Sequence, residues 1–419
     1  MASSSFPSSL KSEIDQAVQS SIDEFVEKRN SGLPRAAILA TTSKEEILVN
    51  STAGFVRGGD DLDSASKITD ETLFPLWSST KLVTAIAALT LIDQGKIGLK
   101  DDASMYVKEL KDLKVLKGFN EEGEPEYEEN TRVCTIENLI THTAGFRYPD
   151  EPIYEKIQAK LGLTSIYDEN SVRESLTKSP FLIPPGTAFG YGPANDWLAL
   201  VVADVSGLPF YDYLQKYIFE PLGINDMNFK NPSSRVNVAV AAGGLSREPD
   251  VPAYTFEEGR QFSQNISWGG AGLTGSPKSY LKILRMLLNG GQSPEGKQVL
   301  KKETVDMMFE PRLEGNCLET FVPVVSQGNE PWSHKAKKQF PGVNYGLGGT
   351  LCGEGIPSGR SKGSLTWSGF ANTFWVVDRE KDVAFVVWSC LLPHSHPSLM
   401  DLWEKVEPKV YEGLAQQQK

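Results

Sequence analysis

Apolar residues recur along this chain with two periods, one typical of helices and one typical of strands. The segment 9–28 carries apolar residues at helical spacing, which predicts an amphipathic helix. The segment 78–94 is apolar nearly all round, which predicts a helix that is buried on most sides. Apolar runs at 36–40 and 46–49 predict two strands joined by a polar turn.

The C-terminal part of the chain is rich in strand patterns. The runs 364–367, 373–377 and 383–388 combine β-branched and aromatic residues, and the polar stretch between the last two runs suits a hairpin turn. We therefore predict an antiparallel meander, followed by a helix over about 398–414.

Helical patterns separated by polar loops dominate the middle of the chain, at 100–260. The segment 313–345 is predicted to be a long irregular excursion from the regular elements. Strands near both ends with helices between them predict an α/β fold in which one lobe is split by an insertion. We expect a discontinuous sheet lobe from 1–76 and 262–419, a mainly helical lobe from 77–261, and an active site between them.

Composition and charge narrow the possible partners and location. The 419-residue chain has a net charge of −12, which argues against nucleic acid and anionic membrane surfaces as partners. It shows no secretory signal and no apolar run long enough to span a membrane. Its few cysteines lack C-x-x-C spacing, which fits a reduced compartment, so a cytoplasmic location is expected.

A serine and a lysine open the apolar helix in the arrangement Ser78-x-x-Lys81. On a helix this spacing places both side chains on one face, one turn apart. A serine in the first turn lies where free backbone N–H groups favour negative charge, and a neighbouring amine can activate it as a nucleophile. The same spacing occurs at four other places, with serines at 8, 64, 175 and 279, so the buried helix is what distinguishes Ser78.

Acyl transfer at Ser78 would also need a second proton-handling group and an oxyanion hole. Tyr191 lies between two glycines after a Pro-Pro-Gly turn, which favours a phenol pushed into a cleft, although most tyrosines are ordinary core or surface residues. The Ser78 backbone N–H is one natural oxyanion donor. The segment 367–370 (WSGF) is a candidate for the other, because Gly369 allows close backbone approach; a β-bulge or strand end is the alternative there.

Other chemistries lack their sequence signatures. The four histidines form no H-E-x-x-H motif or Cys/His cluster, so we predict no metal site. There is no G-x-S-x-G elbow, Walker motif or dinucleotide-binding fingerprint. No cofactor is expected.

In combination, Ser78-x-x-Lys81, Tyr191 and the segment 367–369 resemble the serine β-lactamase and penicillin-binding-protein superfamily, in the class C-like branch that includes family VIII esterases. The segment 139–145 (LITHTAG) is similar to another stretch of that family. Further sequence similarity, as in KGSLT before Trp367, points to the fungal lovastatin acyltransferase group. The resemblance implies a central antiparallel sheet flanked by helices, with an inserted helical lobe.

The resemblance also implies roles for individual residues. Ser78 would be the acylated nucleophile, and Lys81 with Tyr191 the acid/base pair. The backbone N–H groups of Ser78 and Phe370 would form the oxyanion hole, beside Gly369 and Trp367.

Two departures from the β-lactamase pattern narrow the substrate. Pro193 replaces the asparagine of Tyr-x-Asn, and Trp367 replaces the lysine that would hold a β-lactam carboxylate. We therefore expect ester or thioester chemistry, with transfer of an acyl group from a thioester donor, which a carrier protein could present, to a small-molecule hydroxyl or amine in secondary metabolism. An esterase or lactonase using the same acyl-enzyme, and a non-catalytic member of the fold, are the alternatives.

Overall fold

A seven-stranded antiparallel sheet forms the centre of the computed structural model, which describes residues 5–44, 46–59, 61–148, 160, 172–230, 236, 238–241, 254–257, 267–326 and 342–417. The strands of this sheet and of three smaller ones are, in chain order, β1 (Arg35–Thr41), β2 (Val49–Gly54), β3 (Phe74–Pro75), β4 (Val115–Phe119), β5 (Pro125–Glu128), β6 (Val238–Ala241), β7 (Tyr254–Glu257), β8 (Thr274–Gly275), β9 (Asn344–Tyr345), β10 (Thr350–Leu351), β11 (Leu365–Trp367), β12 (Thr373–Asp378), β13 (Val383–Trp388) and β14 (Leu391–Leu392). The sheet order is β2-β1-β13-β12-β11-β10-β9, so strands from both ends of the chain meet at its centre.

Helices cover the sheet and build the middle of the molecule. They are α1 (Ser8–Lys28), α2 (Thr80–Asp93), α3 (Ile136–Ile140), α4 (Val172–Thr177), α5 (Ala194–Ser206), α6 (Phe210–Leu214), α7 (Pro277–Leu288), α8 (Lys302–Met308), α9 (Gly315–Ser326) and α10 (Pro397–Gln417). The predicted α/β fold, with a central antiparallel sheet flanked by helices, is confirmed. The N-terminal helix, the β11–β13 meander and the C-terminal helix lie where the apolar periodicity predicts them.

The sheet separates two apolar layers because alternate residues of a strand face opposite sides. On β13, Phe385 and Val387 pack with the apolar faces of α1 and α10. Val386 and Trp388 belong to the opposite layer, which includes α2 and α7. None of the helices described by the structure combines the length and apolar character that a bilayer crossing requires.

Helix α2 lies at the heart of the second layer. Every residue from Thr80 to Leu91 is buried, as its all-round apolar pattern predicts. It packs against α5 and α6, and a 3₁₀ turn, Trp77–Ser79, precedes it. The α-helix therefore begins at Thr80, two residues later than the sequence predicts. The division of the chain into two lobes remains a prediction.

Two segment predictions are wrong. The region 313–345 is not an irregular excursion throughout, since α9 occupies part of it and buries Phe321 and Val325, four residues apart on one helix face; residues 327–341 lie outside the described part. The second strand covers Val49–Gly54 rather than 46–49, because pairing with β1 sets its register. The mainly helical middle region also contains the β4–β5 hairpin, in which β5 is too polar to show a strand pattern.

A buried ion pair ties α10 to the loop before β11. Arg360 is 0% exposed and donates through Nε to Glu407 Oε1 at 2.8 Å. Glu407 is 3% exposed and also accepts from Trp403 Nε1 at 2.6 Å. The pair lies among the groups that fix α10 on the sheet.

We expect Glu407→Gln to lower the free energy of unfolding by about 3–5 kcal/mol, because it leaves a buried guanidinium without its counter-charge. Urea denaturation measures this. Glu71→Gln breaks an ion pair with Lys278 in which the Glu71 side chain is 70% exposed, and should have a much smaller effect. Equal losses of unfolding free energy in the two variants would contradict the claim that burial makes the Arg360–Glu407 pair the more important of the two.

Candidate active site

Ser78 lies in the 3₁₀ turn before α2, and side-chain hydrogen bonds fix that turn from two directions. Ser79 Oγ donates to Thr373 O at 2.7 Å, and Thr373 Oγ1 donates to Leu76 O at 2.9 Å, which joins the turn to the start of β12. Tyr280 OH, from α7, donates to Ser79 O at 2.9 Å. Trp77, next to Ser78, has a φ of +50°, a left-handed conformation that persists only where the surroundings enforce it.

Lys81 is 1% exposed and reaches back one turn to Ser78, as the spacing predicts. Its Nζ donates to Ser78 Oγ at 3.0 Å, to Tyr148 OH at 3.1 Å and to Gly270 O at 2.7 Å. These acceptors match the three donors of an ammonium group. A neutral amine would fit equally well, donating to two of them and accepting from the Ser78 hydroxyl.

The phenol that lies within hydrogen-bond distance of Lys81 is Tyr148, a residue that no sequence motif marks. Tyr148 N–H donates to Tyr191 O at 2.9 Å, and the two rings are 5.4 Å apart. Lys81 and Tyr148 are 67 residues apart in sequence, so no local spacing could have linked them.

Tyr191 lies beside Lys81, where its ring centroid is 4.8 Å from Nζ. Its hydroxyl accepts a hydrogen bond from Trp367 Nε1 at 3.3 Å. The structure therefore brings Lys81, Tyr191 and Trp367 together. The flanking glycines serve close packing: a Cβ at Gly192 would lie 2.6 Å from Arg147 N.

A buried carboxyl completes the surroundings of Lys81. Asp196, at the start of α5, is fully buried and accepts from Gly270 N–H at 2.7 Å. Burial raises the pKa of Asp196 to about 6, although Lys81 and the Gly270 N–H act to lower it. Both Asp196 and Gly270 were missed as site residues; the glycine-rich run 269–275 marked the segment without indicating its role.

The pKa of Lys81 lies above its ordinary value. Burial acts to lower it, but the negative charge that Tyr148 and Tyr191 carry when ionised, together with the Asp196 carboxylate, outweighs that effect. Burial, with Lys81 nearby, holds the pKa of His142 well below its usual range, so the imidazole that packs on Tyr191 at 4.8 Å is neutral.

Two backbone N–H groups beside the turn are free to bind an anion. Within the described residues, neither Ser78 N–H nor Phe370 N–H donates a hydrogen bond, whereas Gly369 N–H donates to Thr373 O at 3.2 Å. Phe370 is 40% exposed, and its ring lies 5.5 Å from that of Trp77. Gly369 and Phe370 thus lie beside the Ser78 turn.

Together these groups can support acyl transfer. A hydroxyl in contact with a buried amine, phenols nearby and two free N–H donors are the parts that a nucleophilic serine needs. No group of three or more histidine, cysteine, aspartate or glutamate side chains able to hold a metal ion occurs in the described segments.

Comparisons with known proteins match one protein family over most of the chain. Residues 18–398 match the protein-family model described as Beta-lactamase. The Lovastatin esterase of Penicillium rubens is 30% identical over 349 residues, which cover 82% of this chain and 85% of that protein. The Monacolin J acid methylbutanoyltransferase of Aspergillus terreus is 29% identical over 363 residues, covering 84% and 85%.

A solved structure shares the whole fold. The Simvastatin Synthase of Aspergillus terreus, in its LovD6 mutant form, superposes with a TM-score of 0.81 at 27% identity, covering 97% of each chain.

We expect Gly369→Ala to slow acylation of Ser78 by an activated ester at least about 10²-fold. The added methyl group would lie 2.1 Å from Leu76 O, so the β11–β12 loop must move away from the nucleophile's turn. Gly59→Ala is the matched control, because nothing lies within 4 Å of a Cβ there. Stopped-flow measurement with a p-nitrophenyl ester checks both variants; equal rates for Gly369→Ala and the unaltered chain would contradict the predicted contact.

Proposed function

Because the chain belongs to the beta-lactamase family and is an enzyme of the acyltransferase and esterase kind within it, we propose that it transfers an acyl group through a covalent intermediate on Ser78. The acceptor is a hydroxyl or amine of a small molecule of secondary metabolism. The observation that carries the proposal is the hydrogen bond between Lys81 Nζ and Ser78 Oγ at the N-terminal end of the buried helix α2.

In the first half-reaction, Ser78 Oγ attacks the acyl carbon, and its proton passes to the phenol–amine pair of Tyr191 and Lys81. The carbonyl oxygen becomes an oxyanion between the N–H groups of Ser78 and Phe370. Collapse of this intermediate breaks the bond to the donor's sulfur. The thiolate then takes up the proton, which leaves the acyl ester on Ser78.

In the second half-reaction, the acceptor's hydroxyl or amine loses its proton to the same pair and attacks the acyl ester. The new ester or amide leaves, and Ser78 recovers its proton. An acyl thioester on a carrier protein is the proposed donor, and the cytoplasm is the proposed location. The 30% identity to a Lovastatin esterase supports a second candidate, hydrolysis, in which water replaces the acceptor. The two outcomes differ in how well the acceptor site excludes water.

The side chains beside Ser78 favour an uncharged acyl group. Trp367 offers an indole N–H already bonded to Tyr191, with no cation for a substrate carboxylate. Trp77 and Phe370 pack together next to the nucleophile, and Phe370 remains partly exposed. An aliphatic acyl chain would bury apolar surface against this pair. These features support esters and thioesters over β-lactams.

Incubation with a short-chain acyl thioester should add one acyl mass to the peptide that contains Ser78, and Ser78→Ala should remain unmodified. Mass spectrometry of the trapped intermediate measures this. Added alcohols should then take up the acyl group faster than water does, because transfer is the proposed reaction. Absence of the adduct would contradict the acyl-enzyme, whereas loss to water alone would favour the esterase.

The two phenols at Lys81 can be compared directly. We expect Tyr191→Phe to lower kcat/KM about 10²–10⁴-fold through loss of a proton-handling group. Tyr148→Phe should cost at least about 10-fold, because it removes an acceptor from the buried ammonium. Tyr213→Phe, a buried phenol bonded to Thr90 in the helical core, is the control. A Tyr191→Phe rate within twofold of the unaltered enzyme would exclude the proposed role.

A further inference from the structure

One peptide group connects a buried carboxyl to the buried lysine. Gly270 N–H donates to Asp196 Oδ1 at 2.7 Å, and Gly270 O accepts from Lys81 Nζ at 2.7 Å. The packing leaves no room for a side chain, since a Cβ at Gly270 would lie 2.5 Å from Asp196 Oδ2 and 3.0 Å from Tyr148 OH. Glycine is therefore required where the three groups converge.

One oxygen of the Asp196 carboxyl lacks a hydrogen-bond partner in the part of the chain that the structure describes. This oxygen is Oδ2, and the side chain is fully buried. A buried carboxylate is costly without a cation. Lys81, one peptide group away, supplies that cation.

We propose that Asp196 is a positioning residue that acts through Gly270. Its charge keeps a proton on Lys81 rather than on Tyr191, so that the phenol oxygen of Tyr191 is the base for Ser78. The inference rests on the proposed acyl-enzyme function and adds a control element to the same site. No proton enters or leaves: one proton moves from a phenol O–H to the lysine nitrogen, and the phenolate then accepts the proton of Ser78.

The groups around Lys81 agree with this electrostatic role. Tyr148 and Tyr191 lie on one side of Lys81, and the neutral ring of His142 packs behind Tyr191. Asp196 is thus the carboxylate whose charge favours an ammonium over an amine at this position. When Asp196 gains a proton, that bias is lost.

The proposal fixes the direction of the pH dependence. Burial raises the pKa of Asp196 to about 6, so the carboxylate loses its charge as the pH falls through that value. Acylation of Ser78 should slow over the same range. Above it, the charge is present and the rate should reach a plateau.

Asp196→Asn tests the charge alone, because the amide oxygen can still accept from Gly270 N–H. We expect acylation by a p-nitrophenyl ester to be at least about 10-fold slower on the high-pH plateau of the pH–rate profile. We also expect the acidic limb of that profile, the fall in rate near pH 6, to disappear. Asp378→Asn is the matched control: it removes a buried carboxyl bonded to Ser361 N–H and Tyr411 OH, and should keep the limb even if it lowers stability.

An Asp196→Asn enzyme that keeps the limb would overturn the inference, whatever its rate. If that variant does not fold, the unaltered enzyme decides: a rate that does not fall between about pH 7 and pH 5 contradicts the inference. An unaltered enzyme that is not acylated at any pH refutes the proposed function itself, which separates the two failures.

Discussion

The site depends on a lysine nitrogen that is shielded from water and whose pKa lies above its ordinary value. Lys81 is buried inside an apolar helix layer, yet each of three N–H directions meets an oxygen, from Ser78, Tyr148 and Gly270. A buried ammonium is tolerated only when its donors are satisfied and a negative charge lies nearby. This requirement explains why tyrosines, a carboxyl and a glycine-rich loop gather around one lysine.

The fold meets that requirement by holding the nucleophile's turn between α2, α7 and the central sheet. The buried α2 anchors Lys81, while Thr373 on β12 and Tyr280 on α7 hold the preceding turn by hydrogen bonds. These contacts place Ser78 N–H beside the β11–β12 connection, which contains Phe370 N–H. The left-handed Trp77 shows that the turn is constrained rather than relaxed. A rigid nucleophile beside preorganised donors is what acyl transfer requires.

The sequence predicts the parts of the structure that depend on local pattern. The helix behind Ser78, the meander and the terminal helices follow from the apolar period. Lys81, in the first turn of α2, reaches Ser78 because the 3₁₀ turn leads directly into the helix and the two residues are three apart. Tyr148 and Asp196 could not be predicted because tertiary folding, rather than a local spacing, brings them close to Lys81. Helix α9 was missed because Pro323 interrupts a short apolar pattern.

A structure of the protein with a boronic acid bound tests the central claim most directly, since boron forms a tetrahedral adduct with an activated serine. The account predicts a bond from boron to Ser78 Oγ, with one boronate oxygen about 2.7–3.1 Å from both Ser78 N and Phe370 N. It also predicts that Lys81 Nζ stays bonded to Gly270 O. Boron bound elsewhere, or its oxygen directed away from the two N–H groups, would contradict it.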